Sequence, residues 1–129
     1  MGLLSDMAAG SERRLIAARA VVGDAELRER CAALPPLPRL RLSAAGFDLI
    51  AELKLRSPAL GDLSAQTVDP VARLRGYAEA GAAICSILTE PSRFDGDLAH
   101  LRQAAAVLAP LGVPVMRKDF LVDPYQVLE

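Results

Sequence analysis

From Gly46 onward the chain alternates between two hydrophobic rhythms. FDLIAELK (47–54), ICSILTE (84–90) and PVMRKDF (114–120) are short, nearly continuous apolar runs of strand length. Between them, apolar residues recur every three or four positions: Val71, Leu74 and Ala78 in one stretch, Leu98, Leu101, Ala105 and Leu108 in the next. Runs without polar alternation belong to strands buried on both faces, as in a parallel sheet covered by helices. The punctuation agrees. Asp69-Pro70 sets a capping side chain before a first-turn proline, Gly81 ends that helix, Gly96-Asp97 opens the next, and Gly112 precedes the third run. Asp123-Pro124 repeats the Asp-Pro start. The pattern predicts three strands separated by two helices, with a loop carrying Ser57, Pro58 and Gly61 after the first strand.

Upstream, residues 11–34 predict two helices. SERRLIAARAVV is capped by Ser11 and stopped by Gly23; the second helix starts at Asp24 and carries Leu27, Cys31 and Leu34 on one stripe. PPLP (35–38) breaks it and serves as a stiff connector. The reading is an N-terminal helical extension over 1–45 and an α/β domain over 46–129. The charged strand ends Lys54, Glu90 and Lys118 lie 36 and 28 residues apart. That is similar to the period of a (β/α)8 barrel, roughly 250 residues over eight units. A doubly wound sheet has the same local pattern, but no Gly-x-Gly-x-x-Gly follows the first strand to support a dinucleotide-binding version.

Composition narrows the function classes. The 129 residues suit one ordinary domain, and 52% hydrophobic with 24% charged residues is a globular balance. A net charge of -1 without like-charge blocks argues against nucleic acid or an anionic membrane as partner. No apolar run nears the roughly 20 residues of a membrane span. MGLLSDMAAGSERR has no basic region followed by a long apolar stretch, so no secretory signal is expected there, and Asp6 stands where a myristoylation motif needs Ser or Thr. Cys31 and Cys85 are far apart, so a reducing, cytoplasmic setting without a disulfide is expected. His100, alone between leucines, reads as a boundary helix residue, and no metal site is expected.

The charges at the strand ends are harder to dismiss. Of fifteen basic residues only Lys54 and Lys118 are lysine. Side chains alternate along a strand, so Glu52 and Lys54 share a face, as do Met116, Lys118 and Phe120. In a barrel these faces converge from the first and third strands on one mouth, where barrel active sites form. The plainer reading is a strand-end salt bridge. Against it, arginine serves a surface pair as well, whereas lysine alone can give up its proton near neutral pH once desolvated.

AELKLRSP, ILTEPSRFDG and PVMRKDFLVDPYQ, in this order and spacing, resemble the indole-3-glycerol phosphate synthases of tryptophan biosynthesis. The resemblance runs from about residue 47 to Glu129, and the helical segment with its proline connector is similar to that family's N-terminal extension. It implies a (β/α)8 TIM barrel, of which this chain carries about the first three βα units. The implied activity is that of a carboxy-lyase. It closes the indole ring of 1-(2-carboxyphenylamino)-1-deoxyribulose 5-phosphate, with loss of carbon dioxide and water, and needs no cofactor. By the same resemblance Lys118 is the general acid and Lys54 grips the substrate's anionic groups and supports the acid. Glu52 and Ser57 are active-site residues of the first strand and loop, and Phe94 and Phe120 line the pocket for the aromatic ring.

Several positions depart from that family's pattern. Leu55 stands where a basic residue is usual, Ala59-Leu60 replace Ser-Lys in the first loop, and Asp97 replaces a serine. The family's general base and its phosphate-holding loops belong to later strands, so an N-terminal fragment inactive on its own is expected. The alternative is a non-catalytic half-barrel that assembles with a complementary C-terminal half. Another phosphate-binding barrel, such as a phosphoribosylanthranilate isomerase, would not be expected to carry the ELK and RKDF pair.

Overall fold

The computed structural model describes residues 2–66 and 69–129. Met1, Thr67 and Val68 lie outside them. The chain divides into two compact units, one of residues 1–36 with 120–129 and one of residues 37–119.

The second unit holds the sheet. Strands β1 (Ile50–Leu53), β4 (Ile84–Leu88) and β5 (Val115–Lys118) are parallel in the order β1-β4-β5. The order follows the sequence, as expected of successive βα units, and among the described residues the sheet does not close on itself. Strands β2 (Arg56–Ser57) and β3 (Gly61–Asp62) form a small antiparallel hairpin where only a loop was expected. Its turn needs the left-handed backbone of Gly61, at φ +71°. Strand β1 is shorter than FDLIAELK because pairing begins only where β4 offers Ile84 opposite Ile50.

Helices α3 (Pro70–Glu79) and α5 (Leu98–Leu108) start where the caps said they would. The Asp69 carboxylate accepts from Ala72 N–H and that of Asp97 from Ala99 N–H. Both helices pack on one face of the sheet. Leu74 of α3 and Ala104 and Leu108 of α5 join Leu53, Cys85 and Ile87 of the strands in a closed apolar core. Leu53, Cys85 and Ile87 have the odd-numbered parity, which leaves Ile50, Glu52, Ser86, Leu88, Met116 and Lys118 on the other face. There, Ile50 and Met116 are exposed.

Between β4 and α5 the chain makes a four-residue helix, α4 (Pro91–Phe94), that periodicity could not reveal. The buried Glu90 carboxylate caps it, accepting from Ser92 N–H, the Ser92 hydroxyl and Arg93 N–H. Asp95 then turns left-handed and Gly96 presses onto the end of β4. A Cβ at Gly96 would stand 2.6 Å from the Leu88 carbonyl oxygen.

The first unit pairs α1 (Leu3–Val21) and α2 (Asp24–Ala32) with the closing segment, which ends in α6 (Tyr125–Leu128). Leu15, Leu27 and Tyr125 form its apolar centre. The Tyr125 hydroxyl donates to the Val22 carbonyl at 2.8 Å, and Arg19 lies over the Tyr125 ring while pairing with Asp123 at 2.8 Å. Ser11 is not a cap. The helix formers of LLSDMAAG carry α1 back to Leu3, and Ser11, fully buried, accepts from the Gln126 amide at 2.8 Å. Leu34, expected on the α2 stripe, is exposed because the helix ends at Ala32.

Two glycines give opposite expectations for alanine. Gly96→Ala should destabilise the chain by about 1–3 kcal/mol, since strand backbone cannot yield to the new methyl. Gly76, exposed inside α3 with nothing within 4 Å of its Cβ position, should gain about 0.5–1 kcal/mol. Urea unfolding of the two variants checks both signs.

Candidate active site

Register builds the charged cluster. Glu52 lies opposite Ser86, and Ser86 opposite Met116, so one row crosses all three strands. Lys118, one pleat further on and opposite Leu88, returns to the same face. Its Nζ lies 2.6 Å from Glu52 Oε2 and donates to it, reaching over the middle strand. Lys54, just past the end of β1, places its Nζ 3.2 Å from Glu52 Oε1. The buried Ser86 hydroxyl donates to Glu52 Oε2 at 3.3 Å. From behind, the Tyr77 hydroxyl of α3 donates to the Glu52 carbonyl at 3.2 Å and ties β1 to its helix.

One carboxylate therefore serves two ammonium groups. Partial burial opposes ionisation of Glu52, but the hydrogen bonds and charges of Lys118 and Lys54 outweigh it, so the carboxyl sits below its ordinary value of 4.5. Lys118 is 52% exposed, whereas the proton-transfer argument for lysine asked for desolvation. The physical reason is that the face it points from has no cover of its own in this unit. What the arrangement offers is two cations held about one anion at the C-terminal ends of parallel strands, a place suited to an anionic ligand with a reacting oxygen.

The other expected residues sit on the flanking loops or beyond. Ser57 is in the β2–β3 hairpin, where its hydroxyl accepts from Leu60 N–H at 3.0 Å. Phe94 ends α4, and Arg56 of the hairpin pairs with Asp95 of the α4 turn at 3.6 Å, which ties the two loops together. Phe120 belongs to the first unit. Sequence reasoning missed Ser86, Thr89 and Asp119. A serine and a threonine inside ICSILTE were the available signal. A separate cleft of about 670 Å³ lies between α3 and α5, lined by Arg75, Glu79, Val107 and Leu111 among others. It opens on the helix side of the sheet, on the face away from the Glu52 cluster. Among the described residues no group of three or more His, Cys, Asp or Glu side chains is placed to hold a metal ion, and no helix is long and apolar enough to cross a membrane.

Comparison with known sequences gives one answer. The family model described as Indole-3-glycerol phosphate synthase matches residues 7–129. A relative named indole-3-glycerol phosphate synthase from a Nocardioides species is 44% identical over 133 residues, covering 100% of this chain and 49% of the relative. One of the same name from an Arthrobacter species is 41% identical, with 100% and 48% covered. A third, from Saccharopolyspora erythraea, is 41% identical, with 100% and 47% covered. The chain thus spans about half the length of the curated relatives it matches.

The depressed Glu52 value carries a sign. Its contribution to stability is present above 4.5 and lost as pH falls through the lower folded value. Glu52→Gln should therefore flatten the loss of stability below pH 4.5, by up to about 1 kcal/mol for a partly exposed pair. Urea midpoints across acid pH measure it. Equal slopes in both proteins would show that the pairs do not form in solution.

Proposed function

Because the chain belongs to the indole-3-glycerol phosphate synthase family, whose fold is a (β/α)8 barrel, we propose that its sheet carries the first part of that family's active site. The reaction closes the ring of 1-(2-carboxyphenylamino)-1-deoxyribulose 5-phosphate and releases carbon dioxide and water. The observation that carries the reading is the convergence of Lys118 and Lys54 on Glu52 across three parallel strands. Ring closure turns a carbonyl oxygen into a hydroxyl and then expels it as water. Each change needs a proton delivered to oxygen; Lys118 supplies the first and, once reprotonated from solvent, the second. Lys54 meets the substrate's negative charge. Glu52 holds both ammonium groups at the mouth until substrate enters. Ser57 and Phe94 come from the two loops joined by Arg56 and Asp95, and the family resemblance gives Phe120 an apolar contact with the ring.

The reaction also needs a base and a phosphate site, and these come from the remaining strands of the barrel, whether continuous with this chain or on a partner. The three strands leave β1 and β5 each paired on one side only among the described residues, which is where further strands attach.

Two measurements test this. The 129-residue chain alone should form no indole-3-glycerol phosphate, and adding the C-terminal half of the Nocardioides relative should restore turnover. Activity without the second half would refute the shared-site reading; folded association without turnover would favour a non-catalytic half-barrel. In the reassembled enzyme Lys118→Arg should lose nearly as much turnover as Lys118→Ala, about 10²- to 10⁴-fold, because arginine keeps the charge but holds its proton. Near-normal turnover by the arginine variant would reduce Lys118 to an electrostatic contact.

A further inference from the structure

Behind the sheet, on the side away from Glu52, lies a polar group that the reading above does not use. Strand alternation places Arg117 and Asp119 there, one on each side of Lys118, while Lys118 itself faces the mouth. Thr89, just past β4, touches all three. Its hydroxyl donates to Asp119 Oδ2 at 2.8 Å and accepts from Arg117 Nε at 3.2 Å, and its N–H donates to the Lys118 carbonyl at 3.0 Å. Arg117 also pairs with Asp119 at 3.5 Å. The Asp119 side chain is 1% exposed and that of Arg117 13%.

We propose that Thr89, Arg117 and Asp119 form a buried bracket whose role is to hold the end of β5 so that Lys118 stays on Glu52, making Thr89 and Asp119 positioning residues. A hydroxyl has one proton to give and lone pairs to accept with, and Thr89 uses both senses on residues that flank the lysine. Lys118 is the last residue of its strand and half exposed, with a flexible four-carbon stem. Nothing in the stem fixes where Nζ goes, so the direction has to come from the backbone. Burying a carboxylate costs stability unless it is fully bonded, and apolar residues would seal a strand against helices as well. A charge kept there, tied to both neighbours of one lysine, is accounted for by aiming that lysine.

The test is made on the 129-residue chain and reads the Glu52 carboxyl by carbon-13 NMR titration. Thr89→Val keeps the shape and removes the hydroxyl; Thr89→Ser keeps the hydroxyl. With valine the strand end loosens, Lys118 leaves Glu52, and the Glu52 midpoint rises toward 4.5, whereas with serine it stays low. A merely stabilising role would lower the unfolding midpoint of the valine variant and leave the folded Glu52 titration where it was. That result overturns the proposal. Asp119→Asn, which gives up the charge that holds Arg117, should shift Glu52 in the same direction and decides the matter if the valine variant does not fold. The consequence for turnover rests on Lys118 being the acid. In the reassembled enzyme Thr89→Val should lower kcat by up to about 10²-fold with KM unmoved. Should Lys118→Ala leave kcat intact, the acid assignment fails while the Glu52 titration still judges the bracket.

Discussion

Two ammonium groups held around one carboxylate are the constraint from which the rest of this sheet can be understood. Lys54 and Lys118 come from strands that are not neighbours, and Glu52 reconciles their like charges over the strand between them. Such pairs, partly open to water, add little net stability. Their value is geometric: each ammonium is given one address. That address exists only in one register. Glu52 opposite Ser86 and Lys118 opposite Leu88 set the charges on the face away from the helices, and a slip of one residue in β5 would turn Lys118 into the apolar core.

The same strands divide their labour by parity. Leu53, Cys85 and Ile87 face α3 and α5 and close a core with Leu74, Ala104 and Leu108. Their even-numbered neighbours carry the charges. The caps serve this division, since Asp69 and Asp97 start the two helices so that Leu74 and Leu108 meet the sheet. Gly96 has a comparable part. By lying against the carbonyl of Leu88 it lets α4 follow β4 directly, and the Glu90 carboxylate, rather than facing water as a strand-end charge, is consumed inside as the cap.

Much of this was legible in the sequence for a simple reason: period and parity are local. Alternation put Glu52, Lys54 and Lys118 at one mouth, and Asp-Pro, Gly-Asp and the lone glycines marked the helix limits to within a residue or two. What was not legible depends on partners distant in the chain. Ser11 read as a cap because serine commonly is one, but its hydroxyl answers to Gln126, 115 positions away. The β2–β3 hairpin is only two residues a side and the α4 helix one turn, too short for any hydrophobic period. Thr89 and Asp119 meet on one side of β4 and β5, a pairing that no local pattern shows.

The two faces of Lys118 differ in how completely these residues provide for it. On the helix side, its strand is closed in: the Asp119 side chain is buried and that of Arg117 largely so, bonded to Thr89 and to each other within this unit. On the mouth side its ammonium is half in water and donates to Glu52. Direction and environment are therefore set by different parts of the protein. Where the ammonium points follows from contacts among β1, β4, β5 and Thr89. How much water surrounds it follows from what covers that face of the sheet. In a closed barrel the opposing strands would remove that water and strengthen every charge in the mouth. The three strands thus give the ammonium its direction, while its solvation depends on what covers that face of the sheet.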